Sequence, residues 1–212
     1  MNFFKTPLVL KKLYPSLIWD KHAETNQSEK KNIYLTFDDG PIPDLTPWVL
    51  TTLKSYNARA TFFCVGDNVS QHPEIYQQMV NEGHQIGNHT YHHLDGWKTE
   101  NFHYLRNILQ CEELIDQLPK QKKLFRPPYG KIKLKQIQQL SPRYDIIMWD
   151  ILSGDFDPDF NQEVCLERCQ QHTQAGTIII FHDNYKAQKN LTYVLPRYLE
   201  HFGEQGFTFA TL

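Results

Sequence analysis

An α/β fold, with parallel strands closing into a barrel one strand short of eight, is what the 212-residue sequence predicts on three observations. Seven β-rich apolar runs alternate with helical patterns, which calls for βαβ units and therefore parallel strands. Runs as apolar as "TIIIF" (177–181) suit strands covered on both faces. Polar residues cluster just after the C-ends of several strands. In a parallel barrel those ends converge on one mouth, whereas an open sheet would spread them along a line.

Residues 1–31 form an N-terminal arm and a polar connector, and residues 32–212 form the single folded domain that a chain of this length favours. "MNFFKTPLVLKKLYPSLIWD" has an apolar run, but Lys11, Lys12 and Pro15 interrupt it before an export-signal core or cleavage site develops. The arm is expected to pack on the domain. "KHAETNQSEKKN" (21–32) is polar throughout and reads as an exposed connector.

The strand segments are then "IYLTF" (33–37), "ATFFCV" (60–65), "HQIGN" (84–88), "KLFR" (123–126), "YDIIMW" (144–149), "TIIIF" and "FTFATL" (207–212). Between them, "TPWVLTTLKSY" (46–56) begins on a Thr cap with a first-turn Pro. "HPEIYQQMVNEG" (72–83) carries Pro then Glu in its first turn and ends at Gly83. The longest helix, over 100–118, places Tyr104, Leu105, Ile108, Cys111, Ile115 and Leu118 on one face and stops at Pro119.

Composition narrows the function. With 22 Lys and Arg against 24 Asp and Glu, a net charge of −2 offers no electrostatic basis for nucleic acid or an anionic membrane, so neutral or small ligands are expected. No window holds the roughly 20 apolar residues of a spanning helix. The spacing of Cys64, Cys111, Cys165 and Cys169 matches no disulfide framework, so reduced thiols and a cytoplasmic setting are expected. No feature specifies an oligomeric state.

The chemistry sits at the strand ends. The first strand runs into Asp38 and Asp39; adjacent carboxylates raise one another's pKa, so at least one should be claimed by a partner. A lone "DDG" would otherwise read as a capped turn. In "GNHTYHH" (87–93), His89 and His93 are four apart, and on a helical turn both imidazoles reach one ion while His92 points elsewhere. Two histidines and one carboxylate suit zinc or a similar divalent metal and leave positions for water and substrate. One Asp of the pair can ligate while its neighbour serves as base for a water activated at the ion. "FRPPYG" (125–130) sets Arg126 before two stiffening prolines, able to hold a carboxylate ionised and oriented; alone it reads as a Pro-rich turn with a surface Arg. "IIIFHDN" (178–184) ends a buried strand on His182, a general acid or a histidine satisfied by a backbone group. Trp48, Trp97 and Trp149 are candidate floors for a sugar, with core packing favoured for Trp149. Cys165 and Cys169, four apart near His172, are read as a second metal site or as cysteines that pack on a helix, with packing favoured.

"TFDDG", "HTYHH", "RPPYG", the "WDILSGDF" stretch and "IIFHD", in this order, resemble the five motifs of the polysaccharide deacetylase (NodB-homology) family, carbohydrate esterase family four. The likeness runs from about residue 33 over nearly the whole chain. It implies a distorted (β/α) barrel and metal-dependent hydrolysis, with zinc, of an N-acetyl group on an amino-sugar carbohydrate of peptidoglycan or chitin type. Carried onto this chain, Asp38 is the general base, and Asp39, His89 and His93 are the metal ligands. Thr90 orders the histidine loop and Arg126 orients Asp38. The Tyr129 backbone amide, beside Pro128, faces the substrate as oxyanion donor; Ile180 lines the acetyl pocket, and His182 protonates the departing amine.

The fourth motif departs from the family pattern. Where many members carry Asp-x-x-Asp-Trp, this chain reads Leu152, Ser153, Gly154, Asp155, Phe156. Asp155, or else Asp150, is expected to partner Arg126 or His182. Two other functions fit the same residues: the same machinery on a different N-acyl group such as formyl or arylamide, or a non-catalytic sugar-binding barrel. Family members that act on cell walls need export, so a cytoplasmic setting leaves export by an unread route open.

Overall fold

The computed structural model describes residues 4–28, 31–115 and 123–212, with side chains of 26–28 left aside. Among them lie helices α1 (Leu8–Leu13), α2 (His22–Ser28), α3 (Leu45–Ser55), α4 (Gly66–Gln71), α5 (Pro73–Asn81), α6 (Asn101–Glu112), α7 (Leu134–Leu140), α8 (Gln162–His172) and α9 (Gln188–Glu204). The strands are β1 (Asn32–Asp38), β2 (Thr61–Cys64), β3 (Gln85–Asn88), β4 (Lys123–Phe125), β5 (Tyr144–Ile146), β6 (Ile151–Leu152), β7 (Ile178–His182) and β8 (Thr208–Ala210).

All strand pairs are parallel, and the path β5-β4-β3-β2-β1-β7-β6 curls into a distorted barrel of seven positions. β8 adds no position to that path. It pairs with Asn32–Tyr34 of β1, while β2 pairs with Thr36–Asp38 further along the same strand. Each of the seven apolar runs forms a strand; the additional one, β6, is two residues long and too short to register a period of two.

Strand alternation sorts the side chains. Ile33, Leu35 and Phe37 of β1 join Ile179 and Phe181 of β7 in the main core under α3, α8 and α9. Tyr34 and Ile178 meet Phe63, Leu124 and Ile147 in a separate cluster that fills the base of the barrel. Residues of like parity continue upward on the same inner face: Thr36 beside Ile180, then Asp38 beside His182, in register. An apolar plug at one end therefore places polar residues at the other.

The three predicted helices correspond to α3, α5 and α6, but among the described residues the longest helix is α9, with 17 residues, not α6, with 12. α3 starts one residue before the expected Thr46 cap, because the Thr46 hydroxyl turns back to accept from the Ile42 N–H (2.8 Å) and donate to Asp183 (2.6 Å). α6 buries Tyr104, Ile108 and Cys111, and Ile115 is buried beyond its end. The expected Leu118 and Pro119 lie outside the described residues. All four cysteines are free and buried. Among the described residues no helix is long and apolar enough to cross a membrane.

The arm fills a gap. β5 and β6 are the two ends of the strand path and would expose unpaired backbone. Ile18 bridges to Ile147 in parallel fashion, donating to Ile146 O (2.9 Å) and accepting from the Met148 N–H (2.7 Å). Lys5 bridges antiparallel to Ile151, Thr6 donates to Asp150 O (2.8 Å), and Leu17 and Trp19 are buried beside Phe125 and Ile146. The segment read as an exposed connector differs from that expectation. Its first half is α2, with Thr25 buried and His22 against Ala175 O (2.7 Å), because the buried Asp150 draws His22 and Lys11 inward.

Candidate active site

The barrel mouth gathers residues from five strand ends. β1 delivers Asp38 and, in a left-handed turn (φ 88°), Asp39. That strained conformation is held from three sides: the Asp39 N–H donates to Phe63 O (3.2 Å), Asn68 Nδ2 donates to Asp39 O (2.7 Å), and Asn184 Nδ2 donates to Asp39 Oδ2 (2.5 Å). Gly40 follows because a Cβ there would lie 2.0 Å from Asp183 Oδ2. Asp183 accepts from the Gly40 N–H (3.1 Å) and Thr46, and burial pushes its carboxyl up to about 8.

His89 and His93 do meet, though not on a helical turn. Thr90 (φ 63°) and His93 (φ 54°) are left-handed, and the loop is folded by side chains. Asn88 Oδ1 accepts from the Thr90 N–H (2.8 Å), Thr90 Oγ1 from the Leu94 N–H (3.1 Å), and Asn107 Oδ1 from the Tyr91 and His92 N–H groups. The helical spacing was the wrong reason for a correct proximity: the two rings lie 5.0 Å apart. His89 Nδ1 donates to Arg126 O (2.8 Å), which turns Nε2 towards Asp39 Oδ1 at 3.7 Å. His93 Nε2 is 3.1 Å from the same oxygen, with Nδ1 against Tyr129 Oη (3.1 Å).

These three donors lie within 4.8 Å of one another. A tetrahedron with bonds of about 2 Å has edges of roughly 3.3 Å, so the arrangement fits a divalent ion of zinc size. Two of these donors, His89 and Asp39, also have suitable protonation. Burial pushes His89 down to about 4, against the pull of Asp38, leaving a neutral imidazole. Burial would raise the Asp39 carboxyl, but the His93 hydrogen bond and the nearby His182 and His89 outweigh it and hold it well below the usual range.

Arg126 is fully buried, and each of its three side-chain nitrogens is hydrogen-bonded. Nη1 donates to Asp38 Oδ1 (2.7 Å) and Thr36 Oγ1 (2.7 Å), Nη2 to Met148 O (2.8 Å) and Nε to Ile147 O (3.3 Å), and the guanidinium stacks 4.1 Å over Phe63. Asp38 Oδ2 is left 4.0 Å from His89 Nε2, outside the three-donor cluster. On the far side of β1, His182 Nδ1 donates to Asp155 Oδ1 (2.8 Å) and the His182 N–H to Asp155 Oδ2 (2.7 Å). Burial alone would lower His182; the Asp155 charge and hydrogen bond overcome it and raise the imidazole to about 9.

The other expected residues fall as follows. Tyr129 is left-handed (φ 60°) in a 3-10 turn after the buried Pro128, and among the described residues no acceptor takes its backbone N–H. Ile180 is buried two residues before His182, on the same face of β7. Of the two fourth-motif candidates, Asp155 reaches His182, whereas Asp150 lies at the barrel seam with Lys11 (2.5 Å) and His22 (3.2 Å). Arg126 takes neither, its carboxylate partner being Asp38. Trp48 and Trp149 are partly buried against the core, and Trp97 stands in solvent.

A family model described as polysaccharide deacetylase matches residues 25–143. The chain is 32% identical over 192 residues to a peptidoglycan-N-acetylglucosamine deacetylase of Bacillus cereus, covering 87% of this chain and 88% of that one. The chain belongs to the polysaccharide deacetylase family. It is also 30% identical over 190 residues to the peptidoglycan-N-acetylmuramic acid deacetylase PdaC of Bacillus subtilis, covering 89% of this chain but only 39% of that longer relative. Among solved structures, the Bc1960 peptidoglycan N-acetylglucosamine deacetylase superposes with a TM-score of 0.84 at 29% identity, over 98% of this chain and 95% of that one. The PdaC structure superposes with a TM-score of 0.76 at 30% identity, over 86% and 88%.

Sequence reasoning did not find the residues that hold this deacetylase-family site in shape. Asn184 and Asn68 brace Asp39, Asn107 and Asn88 fold the histidine loop, and Asp183 braces Gly40. The available signals were Asp183-Asn184 immediately after His182 and Asn88 immediately before His89, both at strand ends; Asn68 and Asn107 sit on helices remote in sequence.

Proposed function

We propose that the protein is a zinc-dependent hydrolase that removes N-acetyl groups from an amino-sugar carbohydrate of peptidoglycan or chitin type. The observation that carries this reading is a second carboxylate, Asp38, fixed by Arg126 beside a three-donor cluster to which it does not belong. Such a division gives one acid to an ion and leaves its neighbour for proton transfer. The family and the names of the relatives supply the acetylated amino sugar as substrate.

An ion held by Asp39, His89 and His93 supplies Lewis-acid polarisation and a lowered water pKa where the acyl group sits. Asp38 uses its free Oδ2 to take the proton of the attacking water, while Arg126 occupies Oδ1 and fixes the carboxylate plane. The Tyr129 N–H, presented by a strained residue after Pro128, donates to the oxyanion. His182 lies in register opposite Asp38; with Nδ1 committed to Asp155, its Nε2–H delivers a proton to the departing amine. Its pKa of about 9 keeps that proton available at neutral pH. Ile180, beneath this pair, offers an apolar wall to the acetyl methyl.

The test is acetate release from chito-oligosaccharides and peptidoglycan fragments, with and without chelator, alongside N-formyl and arylamide substrates. Acetate release that stops with chelator and returns with zinc supports the reading. Release of formate in preference to acetate, or activity indifferent to chelator, overturns it.

A further inference from the structure

The fourth motif lacks the family's Trp, and Phe156 in its place packs edge-on against the His182 ring (5.2 Å between centroids, 70° between planes). Of the four tryptophans, Trp19 is buried and Trp48 and Trp149 are partly buried against the core; Trp97 is 61% exposed. Exposure of a single aromatic is ordinary, but Trp97 is also immobilised. Its N–H donates to Asp95 Oδ1 (3.0 Å), and its indole Nε1 donates to Ile132 O (3.1 Å). Lys131 Nζ lies 5.8 Å over its ring and is itself held by Asp95 (2.8 Å). The preceding Gly96 admits this packing, since a Cβ would lie 2.3 Å from Lys131 O.

A rigid indole facing solvent has already lost its conformational entropy while keeping its apolar face wet, so a ligand that covers it gains the burial at little ordering cost. The face is continuous with the candidate active site. The same Lys131 ammonium lies 5.3 Å over the Tyr129 ring, and Tyr129 Oη is 3.1 Å from His93. His93, Tyr129, Lys131 and Trp97 thus form a row leading away from the three-donor cluster. A pyranose matches it: one C–H face for the indole, and rim hydroxyl and acetamido groups for the Lys131 and Asp95 pair.

We propose that Trp97 is the floor of a second sugar subsite, which binds the residue adjacent to the one being deacetylated and makes the enzyme prefer oligosaccharides to single sugars. This inference rests on the glycan reading given above.

The experiment measures acetate release from mono-, di- and tetrameric β-1,4-linked N-acetylglucosamine by the zinc-loaded full chain, Trp97→Ala and Trp97→Phe. The wild type is expected to favour the tetramer. Trp97→Ala should raise KM for the tetramer about tenfold, and Trp97→Phe, which keeps an aromatic face but loses the Ile132 hydrogen bond, by less than about threefold. If Trp97 merely staples its loop to the Tyr129 loop, both variants lose kcat alike and the subsite is refuted. A direct readout avoids dependence on altered folding: tetramer binding to Asp38→Asn should shift its tryptophan emission, and the shift should vanish in Asp38→Asn/Trp97→Phe. A shift that persists refutes the subsite. Wild-type activity equal on all three sugars also refutes it while leaving deacetylation standing; no acetate from any of them refutes both.

Discussion

Among the described residues, two clusters of carboxylates and histidine bring their ligand atoms within 4.8 Å: Asp39, His89 and His93 at the barrel mouth, and Asp20, His22 and Asp150 at the seam. By residue type alone both are candidate ion sites. They differ in what balances their charge. At the seam, Lys11 Nζ sits 2.6 Å from Asp20 and 2.5 Å from Asp150, so an ammonium already occupies the cation's place. At the mouth, among the described residues, the ion-pair partners of Asp39 are the two histidines, and the nearest guanidinium is spent on Asp38. The lesson is that a candidate ion site is distinguished from a fastening by negative charge without a side-chain cation already paired to it. The seam cluster instead fastens the arm across β5 and β6.

If the mouth is built for reaction and the seam for fastening, the same kind of change must act differently at each. The largest effect is expected from Asp38→Asn, which removes the proposed base and keeps an oxygen for Arg126. Its kcat should fall by about 10²–10⁴ with ion content unchanged, as read by acetate release and metal analysis. A loss under about threefold would separate Asp38 from the reaction. Next, Lys11→Met strips the buried Asp150 of its principal cation. Urea denaturation should show a loss of about 3 kcal/mol, with turnover per folded molecule unchanged. Lost turnover with full stability would mean that the seam belongs to the reaction after all.

The smallest of these effects concerns His182. In the chelated protein its ring should titrate near 9, and in Asp155→Asn, with the main raising influence gone and burial remaining, well below that. Because the folded value is raised, the proton and its stabilising contribution are fully present below about pH 6.5 and are lost as pH rises through 9. Asp155→Asn should therefore move the alkaline limb of activity to lower pH and cost about tenfold in kcat near neutrality. NMR titration of the ring checks the first statement and a pH–rate profile the second. An unmoved ring resonance would break the assignment of Asp155 as its partner.

The comparison also explains how much of the molecule was legible. Strand segments and the barrel followed from alternation of apolar runs, a local property that each of the seven predicted strands satisfies and the two-residue β6 does not. Asp38, Asp39, His89, His93, Arg126 and His182 were visible because strand ends are local too. What binds them was not. The His89–His93 approach depends on left-handed Thr90 and on Asn107 from α6, not on helical spacing. Asp155 and Asp150 are five residues apart in sequence, but one turns to the mouth and the other to the seam according to which partner, His182 or Lys11, folding brings to it. The arm's polar second half read as connector because its partner, Asp150, lies 128 residues beyond His22. Charge pairing across such separations leaves no periodic trace.

Zinc titration of the chelator-stripped protein tests the central claim most directly, comparing the wild type with Asp39→Ala, Asp20→Ala and Asp38→Asn. The predicted result is one tightly bound ion per chain in the wild type, in Asp20→Ala and in Asp38→Asn, and none in Asp39→Ala. An ion retained by Asp39→Ala, or lost from Asp20→Ala, would contradict it.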